Sequence, residues 1–458
     1  MQITRSLIAI VVSTLFLCAA AFWNGFPILY SDTGTYISSG FGLETPFDRP
    51  ITYGVLLRML SLNGLTIWGA VIAQSLLVSG LVIRLVNWLV PSKNAPIYGM
   101  VILIILSLFS TVSWYSSQLI ADIFTSISFL VVLNLFFGLK EGWKQALFYL
   151  LFFVSIATHM GHFSQFLAFL TLVLVALWRN WIPSYPFKKR VMYGRLGMLI
   201  VLTGLSMLTM GSALAKSKHA FFMGAMLENG VLEKLLDEEC DQGFAICEYR
   251  DELPDEAWRF IWDESSPFYA MGDFPGTREE FNEIINLSFS KPKYLAWHVE
   301  ASLKATGRQL VSFGVADGNG RFEKGSTVWN AMNDHLPREI PSLESSRQYD
   351  RELLVGEEFG VVEALNSLYA LVVVLSIPLL LLIVLQWRKI SPSVRRSVVL
   401  TLLFVLINAW VNGTFANAIP RLGGKVIWLL PMMTMIGCLA LLRTRAERKD
   451  LPPPHEAT

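Results

Sequence analysis

The stretch Leu371-Val372-Val373-Val374-Leu375-Ser376-Ile377-Pro378-Leu379-Leu380-Leu381-Leu382-Ile383-Val384-Leu385 decides the fold. It carries no charge, and with its flanks it forms an apolar segment over 361–387. A bilayer core needs about 20 such residues, and the run is continuous rather than striped at a helical period. Nine further segments read the same way: 5–23, 65–89, 97–115, 119–139, 145–160, 163–181, 192–215, 394–412 and 424–443. The 458-residue chain is 53% hydrophobic and 16% charged, with a mean hydropathy of +0.49. A soluble protein carries roughly a quarter charged residues. The reading is an all-α polytopic membrane protein with about ten transmembrane helices. Arg5 ahead of the first run suits a signal peptide, but the bulky Leu17 before Cys18 speaks against cleavage, so 5–23 is expected to be an uncleaved anchor.

The basic residues orient these spans. Arg5, Lys93, Lys140, Lys144, Arg179, Lys188, Lys189, Arg190, Arg195, Arg388, Lys389, Arg395 and Arg396 all fall on one side of a ten-span chain. The tail adds Arg443, Arg445, Arg448 and Lys449 to that side, which is then cytoplasmic. The expected organisation is a membrane module at 1–215 of about seven spans, with a first external loop at 24–64. An acidic external domain follows at 216–360, then a module of about three spans at 361–443 and a cytoplasmic tail at 444–458. The expected location is the inner (plasma) membrane, multi-pass, with both termini cytoplasmic and 216–360 periplasmic.

Residues 213–360 hold 27 acidic and 15 basic residues, a balance that repels nucleic acid and excludes it as a partner. Cys18 and Cys438 fall in apolar runs and read as packing residues. Cys240 and Cys247 lie on the oxidising side with six residues between them, which suits a local disulfide, with two free thiols as the alternative. A zinc site would need a second Cys/His pair, which is missing.

The external segment reads as mainly helical. Thr277-Arg278-Glu279-Glu280 has the form of a capping box opening a helix to about Phe289. Pro292 separates it from a helix at 293–313 that sets Tyr294, Trp297, Ala301 and Leu310 among Lys293, Lys304 and Arg308. That helix suits either the membrane surface or an ordinary domain position. Asp317-Gly318-Asn319-Gly320 reads as a turn, since it lacks the later ligands of a calcium loop.

Ionisable residues near the span ends gather on the external side. Asp32, Asp48, Arg49 and Arg58 belong to the first loop, and Asp122 opens the fourth span. His159 and His162 lie between spans five and six, and Arg421 and Lys425 precede the last span. Ionisable groups at membrane depth are costly and mark sites or pathways. Each has a local alternative: Asp32 as an Asx-turn or cap, Arg49-Pro50 as the start of a helix, Asp122 as a helix cap and Arg421 as a headgroup anchor. His159 and His162, spaced to share a helical face, lack a third ligand, so no metal site is expected there.

The order of these features resembles a family. Asp32 stands in Tyr30-Ser31-Asp32-Thr33-Gly34-Thr35-Tyr36, just after the first span. Arg49-Pro50-Ile51-Thr52-Tyr53-Gly54-Val55-Leu56-Leu57 follows in the same loop. Asp122 opens the fourth span, and Ile419-Pro420-Arg421-Leu422-Gly423-Gly424-Lys425 precedes the last. The pattern is similar to the C-type (GT-C) glycosyltransferases, among them the protein O-mannosyltransferases and the lipid A aminoarabinose transferase. It covers about the first 180 residues and, loosely, the last 50. The first loop departs from metal-dependent members in having no Asp-x-Asp motif, and from the mannosyltransferases in having no second acid after Asp32.

The resemblance implies a sugar transferase that uses a polyprenyl-phosphate-linked sugar at the external face, with a glycan, lipid or protein as acceptor. It implies Asp32 as catalytic base, with Asp48 in reserve, and Arg421 with Lys425 or Arg58 as binders of the lipid phosphate. Asp122, His159 and His162 would line the sugar or acceptor pocket. No cofactor is expected, although a divalent metal is left open. Two other functions fit the same layout: a polysaccharide polymerase or ligase, and a non-enzymatic transporter or lipid-handling protein.

Overall fold

A computed structural model of the chain describes residues 2–138, 142–181 and 188–449. Lys140 and the tail beyond Lys449 lie outside the described residues. Among the described residues every regular element is helical, apart from one isolated parallel bridge between Ile28 and Gln118. Six helices are long and apolar enough to cross a membrane: Trp68–Leu89, Met160–Trp178, Lys189–Thr209, Phe359–Leu385, Pro392–Phe415 and Pro420–Thr444. Four shorter apolar helices, Ile3–Leu17, Ala95–Phe109, Ile123–Phe137 and Gly142–Ile156, fall on the remaining four runs.

Two of the shorter helices, Ala95–Phe109 and Ile123–Phe137, are bounded by segments that bond to distant chain. Helix Ala95–Phe109 stops where Ser110 turns extended (φ −147°, ψ 175°), and Val112–Ser117 is a separate short helix. The Thr111 hydroxyl there donates to the Gly424 carbonyl at 2.6 Å, tying this break to the start of the last apolar segment. The fourth run becomes helical only at Ile123, because 117–119 runs beside the first loop. Ile28 N–H donates to Ser117 O at 3.0 Å, and Leu119 N–H to Ile28 O at 2.8 Å. An apolar run reports what can be buried, and these residues are buried without being helical.

The expected boundary at 215/216 is crossed by one continuous helix, Lys189–Glu228, about 60 Å long at 1.5 Å per residue. Its far end supplies Ala220, Met223 and Met226 to a core shared with Leu232, Phe260, Phe281, Ile284 and Tyr294. The rest of the interval expected as one external domain belongs elsewhere. Val315, Val328, Met332, Leu336 and Leu343 are part of the main bundle's core.

They are held there by the first loop. Helix Thr327–His335 lies against helix Thr33–Gly42 at Gly34, where a Cβ would sit 2.7 Å from the Thr327 carbonyl oxygen. Gln348 binds the same loop as a strand neighbour would. Its Oε1 accepts from Leu29 N–H at 2.9 Å, and its Nε2 donates to Leu29 O at 2.8 Å.

Cys240 and Cys247 form a disulfide, with Cα atoms 5.8 Å apart. The expected capping box is not made. Thr277 precedes helix Arg278–Ser288 without a side-chain cap bond, and its hydroxyl donates to Asp273 O instead. Glu280 reaches away from its own helix to accept from Ala245 and Ile246 N–H, both at 3.0 Å. The second expected helix runs Pro292–Val311, with Pro292 at its first position, where the missing N–H costs nothing.

Candidate active site

Asp32 occupies the residue before helix Thr33–Gly42 but makes no cap bond with its side chain. The cap-like work there falls to Thr33, whose hydroxyl accepts from Tyr30 N–H at 2.8 Å and donates to Leu119 O at 2.9 Å. The Asp32 carboxylate is therefore free for two arginines. Arg49 Nη1 lies 2.9 Å from Oδ1, and Arg421 Nη1 lies 3.4 Å from Oδ2. Burial pushes the Asp32 carboxyl up, but Arg49 and Arg421 more than offset it, leaving it below the usual carboxylate range.

Arg49 is itself steered. Its Nε donates to both carboxylate oxygens of Asp48 at 3.1 Å, and its guanidinium lies 5.3 Å from the centre of the Tyr36 ring. Pro50 does not start the next helix, which begins at Thr52.

Arg421 links Asp32 to Asp122, with Nε 3.4 Å from Asp122 Oδ2. Asp122 precedes helix Ile123–Phe137 and, like Asp32, makes no side-chain cap bond. Its other oxygen lies 3.5 Å from Lys425 Nζ, and both side chains are fully buried. The result is a line of alternating charge, Asp48, Arg49, Asp32, Arg421, Asp122 and Lys425, drawn from three separate parts of the chain. Fully buried charges survive only when paired in this way.

Several residues that the sequence did not single out build the frame. The Arg421 guanidinium stacks 4.3 Å from the centre of the Tyr30 ring. Asp317 Oδ2 accepts from Arg421 N–H at 3.3 Å, so the Asp317–Gly320 turn satisfies one of the open donors at the start of helix Pro420–Ile427. Asn319 is fully buried, donates to Leu29 O and accepts from Trp114 Nε1 at 3.3 Å. Gly424 lets the backbone approach Tyr115, whose hydroxyl donates to Gly314 O at 2.9 Å and is 3.0 Å from Arg421 O. For Asp317 and Asn319 the signal in the sequence was a turn-rich run, which carries no indication of its partner.

Two expected members stand apart. Arg58 donates to Asn63 Oδ1 at 2.7 Å and to Phe41 O at 3.1 Å, and so braces its own loop rather than joining the cluster. His162 has both ring nitrogens engaged, Nδ1 with Ser155 O at 3.1 Å and Nε2 with Thr125 Oγ1 at 2.7 Å. A carbonyl only accepts, so Nδ1 carries the proton and Nε2 accepts from the Thr125 hydroxyl. His159 does not share a helical face with it. It is extended (φ −148°) just before helix Met160–Trp178, and its Nδ1 accepts from Gly161 N–H at 3.0 Å. The two rings still lie 5.2 Å apart. Among the described residues no group of three or more His, Cys, Asp or Glu is arranged to hold a metal ion.

Comparison of the chain with family models, with curated proteins and with solved structures gives no match. The architecture is that of a helical membrane protein, with six helices long and apolar enough to span and a line of paired, largely buried charges.

Proposed function

We propose that this protein is a ten-span glycosyltransferase of GT-C type in the inner membrane. It moves a sugar from a polyprenyl-phosphate donor to an acceptor at the extracytoplasmic face. One observation carries the reading: Arg421 touches Asp32 and Asp122 at once, which sets a candidate base beside a candidate phosphate-binding cation although 389 residues separate them.

In this reading the acceptor oxygen attacks the anomeric carbon, with inversion, as the bond from that carbon to the phosphate oxygen breaks. The acceptor proton passes to Asp32. The electron pair leaves with the lipid phosphate, whose charge Arg421 and Lys425 stabilise. The two roles are coupled. While Arg421 faces Asp32 the carboxylate is a weak base, and a phosphate that takes Arg421 removes one of the two cations holding it down. Arg49 stays, tethered by Asp48, and keeps the carboxylate aimed. Asp32 thus becomes a competent base only when donor is bound, so activation of the acceptor waits on the donor. The test is turnover of lipid-linked sugar by Asp32→Asn and Arg421→Ala at equal expression. Wild-type turnover in Asp32→Asn sinks the assignment.

A further inference from the structure

Helix Pro292–Val311 has three faces. Tyr294, Ala305 and Gln309 are buried, while Lys293, Lys304 and Arg308 form a charged edge. The third face carries Leu295, Val299, Leu303 and Leu310, at spacings of four, four and seven residues, and it is exposed: Val299 by 60% and Leu303 by 69%. An aliphatic stripe of this kind marks a contact surface.

The two ends of the helix lie in different cores. Tyr294 belongs to the core built on Phe260 and Phe281. Phe313, two residues past the other end, packs with Val373, Val405, Ile427 and Leu430, all in candidate membrane spans. Val405 lies ten residues before Phe415, the end of its helix, so the chain has descended about 15 Å along that span. On the way it follows helix Pro392–Phe415. Trp410 Nε1 donates to Ser302 Oγ at 3.0 Å, and Thr414 Oγ1 lies 2.8 Å from the same hydroxyl. Ser302 sits one heptad from Leu295, at the edge of the aliphatic stripe. The stripe is therefore continuous with the exposed face of that span, formed by Val399, Leu402, Leu406 and Trp410.

The backbone beyond the helix is irregular, and at membrane depth such a segment survives only when protein satisfies it. Side chains do so group by group. Gln309 Nε2 donates to Ser312 O at 3.0 Å, Tyr115 OH to Gly314 O at 2.9 Å, and Asn366 Oδ1 accepts from Val315 N–H at 2.8 Å.

We propose that Pro292–Val311 is a re-entrant helix. It dips into the leaflet on the side of the charge cluster, and its Leu295–Val299–Leu303–Leu310 face is covered by lipid acyl chains, while Lys304 pairs with Glu300 at 2.6 Å and Arg308 donates to Asn229 Oδ1 on the protein side. The following segment then climbs out to deliver Asp317 to Arg421. This holds whether or not the protein transfers sugars.

The experiment uses the full chain in lipid nanodiscs, with Cys18→Ser and Cys438→Ser removing the free thiols. Nitroxides are placed singly through Leu295→Cys, Leu303→Cys, Leu310→Cys and Lys304→Cys, with Leu406→Cys on the span as reference. Power saturation compares accessibility to oxygen and to the water-soluble nickel chelate NiEDDA. The stripe labels are expected to favour oxygen several-fold over the Lys304→Cys label, at depths increasing from 295 to 303 to 310, with 310 approaching the reference. NiEDDA access equal to that at Lys304→Cys overturns the proposal, as do equal depths along the stripe. Protection from both reagents with spin–spin broadening between molecules also overturns it, since a second copy would then cover the face.

Discussion

Replacing Asp122 by Asn is expected to cost far more than replacing its partner Lys425 by Met. Asp122 and Lys425 are both fully buried, with Oδ1 and Nζ 3.5 Å apart, and Arg421 Nε lies 3.4 Å from the second carboxylate oxygen. At that separation and an effective dielectric of 20 the pair interaction is about 5 kcal/mol. Breaking a buried pair typically costs about 3–5 kcal/mol, because the remaining charge is stranded. The geometry makes the two losses unequal. Asp122→Asn leaves Lys425 with no carboxylate within ion-pair distance among the described residues, and leaves Arg421 with Asp32 alone. Lys425→Met leaves Asp122 still facing Arg421, so its cost is on the order of 1–2 kcal/mol. The double variant, which strands no buried lysine, is expected to cost less than the sum of the two by about 2 kcal/mol. Equilibrium unfolding by SDS titration in mixed micelles, followed by circular dichroism, measures all three. Additive costs, or a Lys425→Met variant at least as damaged as Asp122→Asn, refute the reasoning.

Four more expectations rest on single observations. Under the proposed activity, Arg49→Lys keeps the charge beside Asp32 but loses the fork to Asp48, so sugar turnover should fall, whereas in Asp32→Asn it should fall by about 10²–10⁴-fold. Removing the Cys240–Cys247 disulfide by Cys240→Ser/Cys247→Ser should lower stability by about 2.5 kcal/mol, the loop-entropy value for so short a ring, seen as the same loss in thermal unfolding of the wild type after reduction. Lys291 and then Tyr294 hold the Glu239 carboxyl down to about 2. Its contribution to stability is therefore present above the unfolded carboxylate value of about 4.3 and is lost as pH falls toward 2, so Glu239→Gln should flatten the acid limb of a melting-temperature profile. Gly34→Ala should cost about 1–3 kcal/mol in melting experiments, since the new methyl meets the Thr327 carbonyl, which is backbone and cannot rotate away.

The long apolar runs were legible because a bilayer core imposes a length and excludes charge, and those constraints are local. The six long candidate helices and four shorter ones sit where the composition changes. Helix ends were less legible: the break at Ser110 and the 117–119 segment stay buried while leaving the helix, because Thr111 and the 117–119 backbone bond to distant chain. Within the candidate site, Asp32, Asp122, Arg421 and Lys425 could be singled out one by one as charges placed where charges are costly. Their order along the line of charges could not, nor could the separation of Arg58 and His162 from it, since a sequence does not state which partner a side chain has found. Asp317 and Asn319 were hidden for the same reason, because a turn motif describes its own backbone and not the arginine beside it.

The sequence by itself determined that this chain is helical and built for a membrane, because hydrophobic run length is a property of neighbouring residues. Only the tertiary structure decided that Asp32 is an ion-pair partner and not a cap, that the interval 216–360 is divided between two cores, and that Arg421 joins two carboxylates from opposite ends of a 90-residue stretch. Those outcomes depend on pairing buried charges and buried backbone groups across long sequence distances. The cost of leaving any one of them unpaired is what selects the arrangement.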